Sequence, residues 1–267
     1  MSRERWVNAA ILSLSTAVGL AAFAYPFFQP VTGGGTYGMA HAADAPLLIL
    51  MLVLLCVVVL VASFSGGQMN ARTVAVLGVL TAVNAVLRAV PGPAGFSAVF
   101  FLLGLCGYVY RGSFGFLLGV LSLLVSALIG GGVGPWLPYQ MLASGWMGLT
   151  SGLLPDLRAH RSIELLMLAA WTAVWGFIFG AIMNLWFWPY IAGPQGQSWE
   201  TGLSTVASLR RYAAFYIATS LWWDVWRAAG NATLIVFVGP ALIKVLRRFE
   251  RVLGFERGDA GKNLAKA

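Results

Sequence analysis

The run "APLLILMLVLLCVVVLVASF" (residues 45–64) contains no charged residue. A helix rises about 1.5 Å per residue, so about 20 such residues cross a hydrocarbon core about 30 Å thick. Inside lipid, a helix also satisfies its own backbone donors and acceptors, which an isolated strand cannot do. The rest of the 267-residue chain has the same character: 59% hydrophobic, 10% charged, mean hydropathy +0.81. Soluble domains carry about a quarter charged residues. The sequence therefore describes an all-α polytopic membrane protein.

Gly, Pro and charge divide the chain into eight apolar segments: 6–28, 46–64, 73–90, 97–110, 113–131, 138–154, 163–188 and 212–245. The fourth is short enough to be tilted or partly re-entrant. A glycine-rich loop, "QPVTGGGTYGMAHAADAP", follows the first span and is expected to be mobile. The break "SFSGGQMNAR" suggests three pieces: a two-helix membrane extension (1–68), a six-helix core (69–250) and a basic tail (251–267). The basic start and the Ala22–Ala24 region look like a signal peptide and its cleavage site. Trp6 to Phe28 is nevertheless long enough to span, and is read as a retained helix. No repeat at a fixed period supports an inverted-repeat transporter.

Lys and Arg concentrate on the cytoplasmic side of membrane proteins. With the N-terminus inside, thirteen of them fall in inner segments, from Arg3 and Arg5 to Lys262 and Lys266. Only Arg88, Arg210 and Arg211 fall outside, and Arg227 lies within a span. Both termini are thus expected in the cytoplasm. The net charge of +8 follows from topology and gives no reason to invoke nucleic acid. The basic start of the tail suits an anionic lipid surface. Cys56 and Cys106 sit singly in apolar runs, and His41 and His160 lie in separate loops, so neither a disulfide nor a metal site is expected and no cofactor is implied.

One stretch breaks the apolar pattern. "SLWWDVWRAAGN" (220–231) places Asp224, Arg227 and Asn231 inside the last span. With Tyr212, Tyr216 and Ser220 they follow at steps of four, four, four, three and four, so all six share a helix face. Ionisable groups at membrane depth face a bundle interior or a water-filled space. Asp224 and Arg227, three apart, can pair. Two readings follow: an ion pair that ties helices together, or the wall of a ligand cavity opening outward. Trp136, Tyr139 and Gln140 from "GGGVGPWLPYQM" and Asn184, Trp186, Trp188 and Tyr190 from "MNLWFWPYIAGPQGQSW" converge on the same half, with Trp223 beside the stripe. An interfacial aromatic belt explains these residues singly; together they have the composition of a small-molecule site. The first core helix, "ARTVAVLGVLTAVNAVLRAV", sets Ala71, Ala75, Gly78 and Ala82 on one face, where small residues let another helix approach closely.

Enzyme classes find little support: HExxH and G-x-S-x-G are absent, and Asp224 has no second carboxylate near it in sequence. No phosphate-binding loop occurs, so the chain does not power transport with ATP itself. A proton-coupled secondary transporter using Asp224 and Arg227 is the rival reading.

The segment "GGVGPWLPYQMLASGWMGL", followed by "FGAIMNLWFWPY" and "TSLWWDVWRAAGN", resembles the substrate-binding S-components of energy-coupling factor (ECF) vitamin transporters, over roughly residues 69–250. The resemblance implies a six-helix binding protein of the bacterial plasma membrane. It would capture a vitamin near the outer face and dock on a transmembrane T-component driven by two ATPases. It assigns docking to Ala71, Ala75, Gly78 and Ala82, and vitamin binding to the aromatic and polar residues named above. The GPWLPYQ-type loop looks most like the cobalamin branch. The two N-terminal helices depart from the family's minimal body.

Overall fold

A computed structural model describes residues 3–28, 45–65, 70–89, 92, 96–191, 194, 196–200 and 202–253. The loop 29–44 with His41, the break 66–69 and the tail beyond Leu253 lie outside the described residues. Among those described, every regular element is helical. In chain order they are α1 (Arg3–Ala24), a 3-10 turn (Tyr25–Phe28), α2 (Ala45–Ser65), α3 (Ala71–Ala89), α4 (Val99–Tyr110), α5 (Gly112–Ser126) and a π turn (Ala127–Gly131). Then follow α6 (Leu137–Ser151), α7 (Arg161–Phe187), a 3-10 turn (Trp188–Tyr190), α8 (Thr205–Thr219), α9 (Leu221–Phe237) and α10 (Gly239–Leu253).

Three of these segments are long and apolar enough to cross a membrane: α3, Gly112–Gly131 and Arg161–Tyr190. The described apolar parts of α1 and α2 are shorter, as is α4. α4 has twelve residues, every one buried, so the short fourth segment is the central strut of the bundle.

Glycine sets the spacing around that strut. A Cβ on Gly115 would strike the backbone of Gly148, one on Gly107 the same carbonyl, and one on Gly119 the carbonyl of Ser144. α4, α5 and α6 therefore touch through their backbones. Without water, close van der Waals contact is the main force holding helices together. α3 begins at an Asn70 cap, whose Oδ1 accepts from the Thr73 amide at 2.9 Å. The N-terminal helices lie against α6: the Trp146 indole donates to Thr16 Oγ1 at 3.2 Å, and Phe23 meets Tyr139 edge-on at 4.7 Å. Cys56 and Cys106 are buried free thiols.

The last apolar segment departs most from expectation. In place of one helix over 212–245 there are three. Ser220 (φ −129°) interrupts the first junction, although i→i−4 bonds continue through it. α10 then turns 67° away from α9. The cause is compositional. α10 has three faces: Ile243, Leu246 and Glu250 pack inward, Lys244, Arg248 and Arg251 are exposed on a second side, and Val245, Phe249 and Val252 on a third. Such a helix suits an interface with charges on one side, and α9 and α10 meet the length and composition of a span only when taken together across the bend.

Candidate functional site

The bundle has a basic end and an aromatic end. At the basic end, Glu164 is buried; it accepts from Tyr108 Oη at 2.6 Å and pairs with Arg247. Arg158 holds both oxygens of Glu250, at 2.9 and 3.1 Å. Arg111, in the left-handed region (φ 73°) between α4 and α5, donates to the carbonyls of Gly152 and Leu154. These contacts fasten α10 and the start of α7 to the strut.

The aromatic end gathers most of the residues expected there. Trp186 lies between Trp136 (6.5 Å) and Tyr139 (6.2 Å), and Trp188 meets Tyr212 at 5.1 Å. Phe27 of the first 3-10 turn reaches Trp188 and Trp199, so the N-terminal extension forms part of this wall. Residues 196–200 cross over it: the Trp188 indole donates to Gln197 O at 2.8 Å, and Arg211 pairs with Glu200 at 2.7 Å. Tyr190 lies at the end of the second 3-10 turn, partly buried. Trp223 does not join the group. It is 51% exposed, on the outward side of α9 with Trp222.

The stripe of α8 and α9 faces α7, and its groups are paired. Asp224 is buried; its Oδ2 accepts from Tyr216 Oη at 2.7 Å and its Oδ1 binds Arg227. Arg227 also donates to Gly176 O at 3.2 Å, and its guanidinium lies over the rings of Phe179 and Phe100 at 5.4 and 5.8 Å. Asn231 binds α4 and α9 at once: it accepts from the Phe101 amide at 2.7 Å and donates to Ser97 O and Arg227 O. Ser220 donates to Asn184 Oδ1 at 2.8 Å, Asn184 donates to Thr219, and Tyr212 donates to Ala181 O. Room for this arrangement comes from α7. Gly180 faces the Asp224 carboxylate, where a Cβ would collide, and Gly176 packs closely on Ala228, where a Cβ would be tight. These are the contacts of a tie between helices.

A second polar group, built on α3, α5 and α6, contains residues beyond those expected from sequence, apart from Gln140. Arg88 Nη1 donates to Ser126 Oγ at 2.6 Å, and Nη2 to Gln140 Oε1 at 2.7 Å. Asn84, one turn earlier on α3, is fully buried, and neither polar atom of its amide has a hydrogen-bond partner among the described residues. The same holds for Thr81 Oγ1, for Ser122 Oγ one turn before Ser126, and for Ser144 Oγ one turn after Gln140. The signal was present in the sequence: Thr81, Asn84 and Arg88 share a face at helical spacing, opposite the small residues.

That opposite face is bare. Ala71, Ala75, Gly78 and Ala82 are all exposed, and a Cβ on Gly78 would meet nothing within 4 Å. Val79, Val83 and Val86 extend the exposed apolar surface. Nothing within the described residues covers it.

A helical membrane bundle with this polar and aromatic end is matched over residues 72–239, more than half of the chain, by the family model of the ECF transporter substrate-specific component. The chain belongs to that family. No curated protein matches it, nor does any solved structure. As an ECF substrate-specific component it is a multi-pass membrane subunit that serves a transporter by recognising its substrate. The match takes in α3 to α9; α1, α2 and nearly all of α10 lie outside it. Among the described residues no group of three His, Cys, Asp or Glu is placed to hold a metal.

Proposed function

We propose that this substrate-specific component captures a vitamin at its aromatic end and delivers it, chemically unaltered, through a T-component driven by two ATPases. In this reading the aromatic end faces the exterior of a bacterial plasma membrane, and the basic end and both termini face the cytoplasm. The positive-inside distribution supports that orientation. A corrinoid of the cobalamin type is the specific ligand we propose, since its amide arms and apolar ring suit aromatic walls with a few polar groups. Trp136, Tyr139, Gln140, Trp186, Trp188 and Tyr190 would form the walls. Tyr216, Ser220, Asp224, Arg227, Asn231 and Asn184 would hold α9 and α7 in place behind them.

The observation that carries the reading is the bare face of α3. A line of small residues that no described residue covers is open to a second transmembrane helix. Ala75→Leu places a bulky side chain in that exposed line. Affinity purification should then recover the variant without the T-component and ATPases, while vitamin binding in detergent stays at the wild-type level. Intact assembly of Ala75→Leu would remove the docking assignment. Uptake that persists without the ATPases but collapses with the proton gradient would favour a secondary transporter instead.

A further inference from the structure

We propose that Arg88 is the receptor for an anionic group, a carboxylate or phosphate, on the transported molecule, and that Asn84 below it reads a neighbouring amide or hydroxyl. The inference rests on the substrate-binding function proposed above and deepens it by naming the ligand's chemistry.

Charge supplies the first argument. Among the described residues, the other partly buried cations each have a negative partner or carbonyls at a helix end: Arg227 has Asp224, Arg158 has Glu250, Arg247 has Glu164, Arg211 has Glu200, and Arg111 has two carbonyls beyond α6. The remaining described Lys and Arg with a placed side chain are exposed to solvent. Arg88 is partly buried and holds two neutral oxygens. A guanidinium has five donors in a planar fork, matched to carboxylate and phosphate geometry. Two nitrogens are engaged, so donors remain for an oxyanion. Space is reserved for the group as well: Gly131 closes the π turn beside it, and a Cβ there would overlap the guanidinium.

The second argument is independent of charge. Buried polar groups are almost always hydrogen-bonded, because leaving one unmade is costly. Here Asn84, Ser122 and Ser144 are fully buried and Thr81 nearly so, and the side chains of all four lack a hydrogen-bond partner among the described residues. Their positions follow from register. Asn84 precedes Arg88 by four residues, Ser122 precedes Ser126 by four and Ser144 follows Gln140 by four, so each lies about 6 Å deeper than the Arg88 head at 1.5 Å per residue. A primary amide offers both a donor and an acceptor edge, which suits an amide, ureide or hydroxyl next to the anion. Gln140 connects the group to Trp136 and Tyr139, placing it beside the aromatic walls.

The test uses the full chain in detergent with labelled biotin, pantothenate, folate and cobalamin as anion-bearing probes, and riboflavin and thiamin as probes without an anion. The tightest binder should carry a carboxylate or phosphate. Arg88→Gln should weaken it about 100-fold, the scale of losing one partner of a buried charged pair, and Arg88→Lys should restore part of the loss. Asn84→Leu supplies a readout that a merely structural role would not give: it should raise the melting temperature of the ligand-free protein while lowering affinity. Tightest binding of riboflavin or thiamin, or an Arg88→Gln variant that binds its anion as the wild type does, overturns the proposal and leaves the transporter reading intact. A wild-type chain that binds none of the six and carries no co-purified small molecule overturns both.

Discussion

Two polar groups lie in the apolar body of this protein, and they are built to opposite rules. Around Asp224 the acid meets a base, the base a carbonyl and two rings, and the amides of Asn231 and Asn184 bond to neighbouring helices. Around Arg88, among the described residues, the charge has no counter-charge, and four polar side chains below it have no partner. The first group stabilises the helix pair α7–α9. The second leaves buried donors and acceptors unmet, at a cost to the folded protein. In a membrane interior, therefore, the presence of polar residues is a weaker pointer to a ligand site than unmet hydrogen bonds and charge, and the proposal for Arg88 rests on the latter.

The largest expected effect breaks the closed group. Asp224→Ala leaves Arg227 buried without its acid, and stranding one partner of a buried pair costs about 3–5 kcal/mol. Thermal unfolding in detergent should register that loss, and Asp224→Ala with Arg227→Leu should recover much of it. A double variant no more stable than the single would show that the pair is not held together by mutual compensation. The next effect sets the two groups side by side. Asn231→Leu breaks three hydrogen bonds and strands the Phe101 amide, for a loss of about 1–3 kcal/mol. Asn84→Leu removes an amide that already lacks partners, so ligand-free stability should rise by about 1 kcal/mol. Loss of stability in both variants would erase the distinction between the groups.

Helical spacing made much of this legible. The small face of α3, the shared face from Tyr212 to Asn231 and the aromatic run near α6 could all be read from intervals of three and four. Spacing says which residues share a face, but not what that face meets. Arg227 finds its carbonyl at Gly176 and Asn231 its amide at Phe101, 51 and 130 residues away, and only tertiary packing brings these together. The face of Arg88 is faint in the sequence because its members are spread over Thr81, Asn84 and Arg88 among alanines and valines, while the charged stripe of α9 is dense. The break at Ser220 and the turn into α10 leave no mark in composition, since apolar residues continue across both. The amphipathic character that turns α10 becomes visible only when the three faces of residues 239–252 are separated.

A third group, at the basic end, tests whether having partners is the same as being at rest. Glu250 is 6% exposed, and Arg158 grips both of its oxygens. Burial still pushes its carboxyl up to about 7, against the pull of Arg247, Arg111 and Arg251 and with a small addition from Asp156. The folded value lies above the unfolded one of about 4.5, so between those values the folded protein binds more protons. The attachment of α10 should therefore strengthen as pH falls from about 7 toward 4.5, and stay at its weaker level above 7. Hydrogen exchange of the α10 amides across that range should show rising protection in the wild type. In Glu250→Gln, which carries no charge to bury, that rise should be absent. A wild type whose α10 loosens on acidification would mean that the ion pair with Arg158 outweighs the burial of its acid, placing Glu250 with Asp224 as a compensated group.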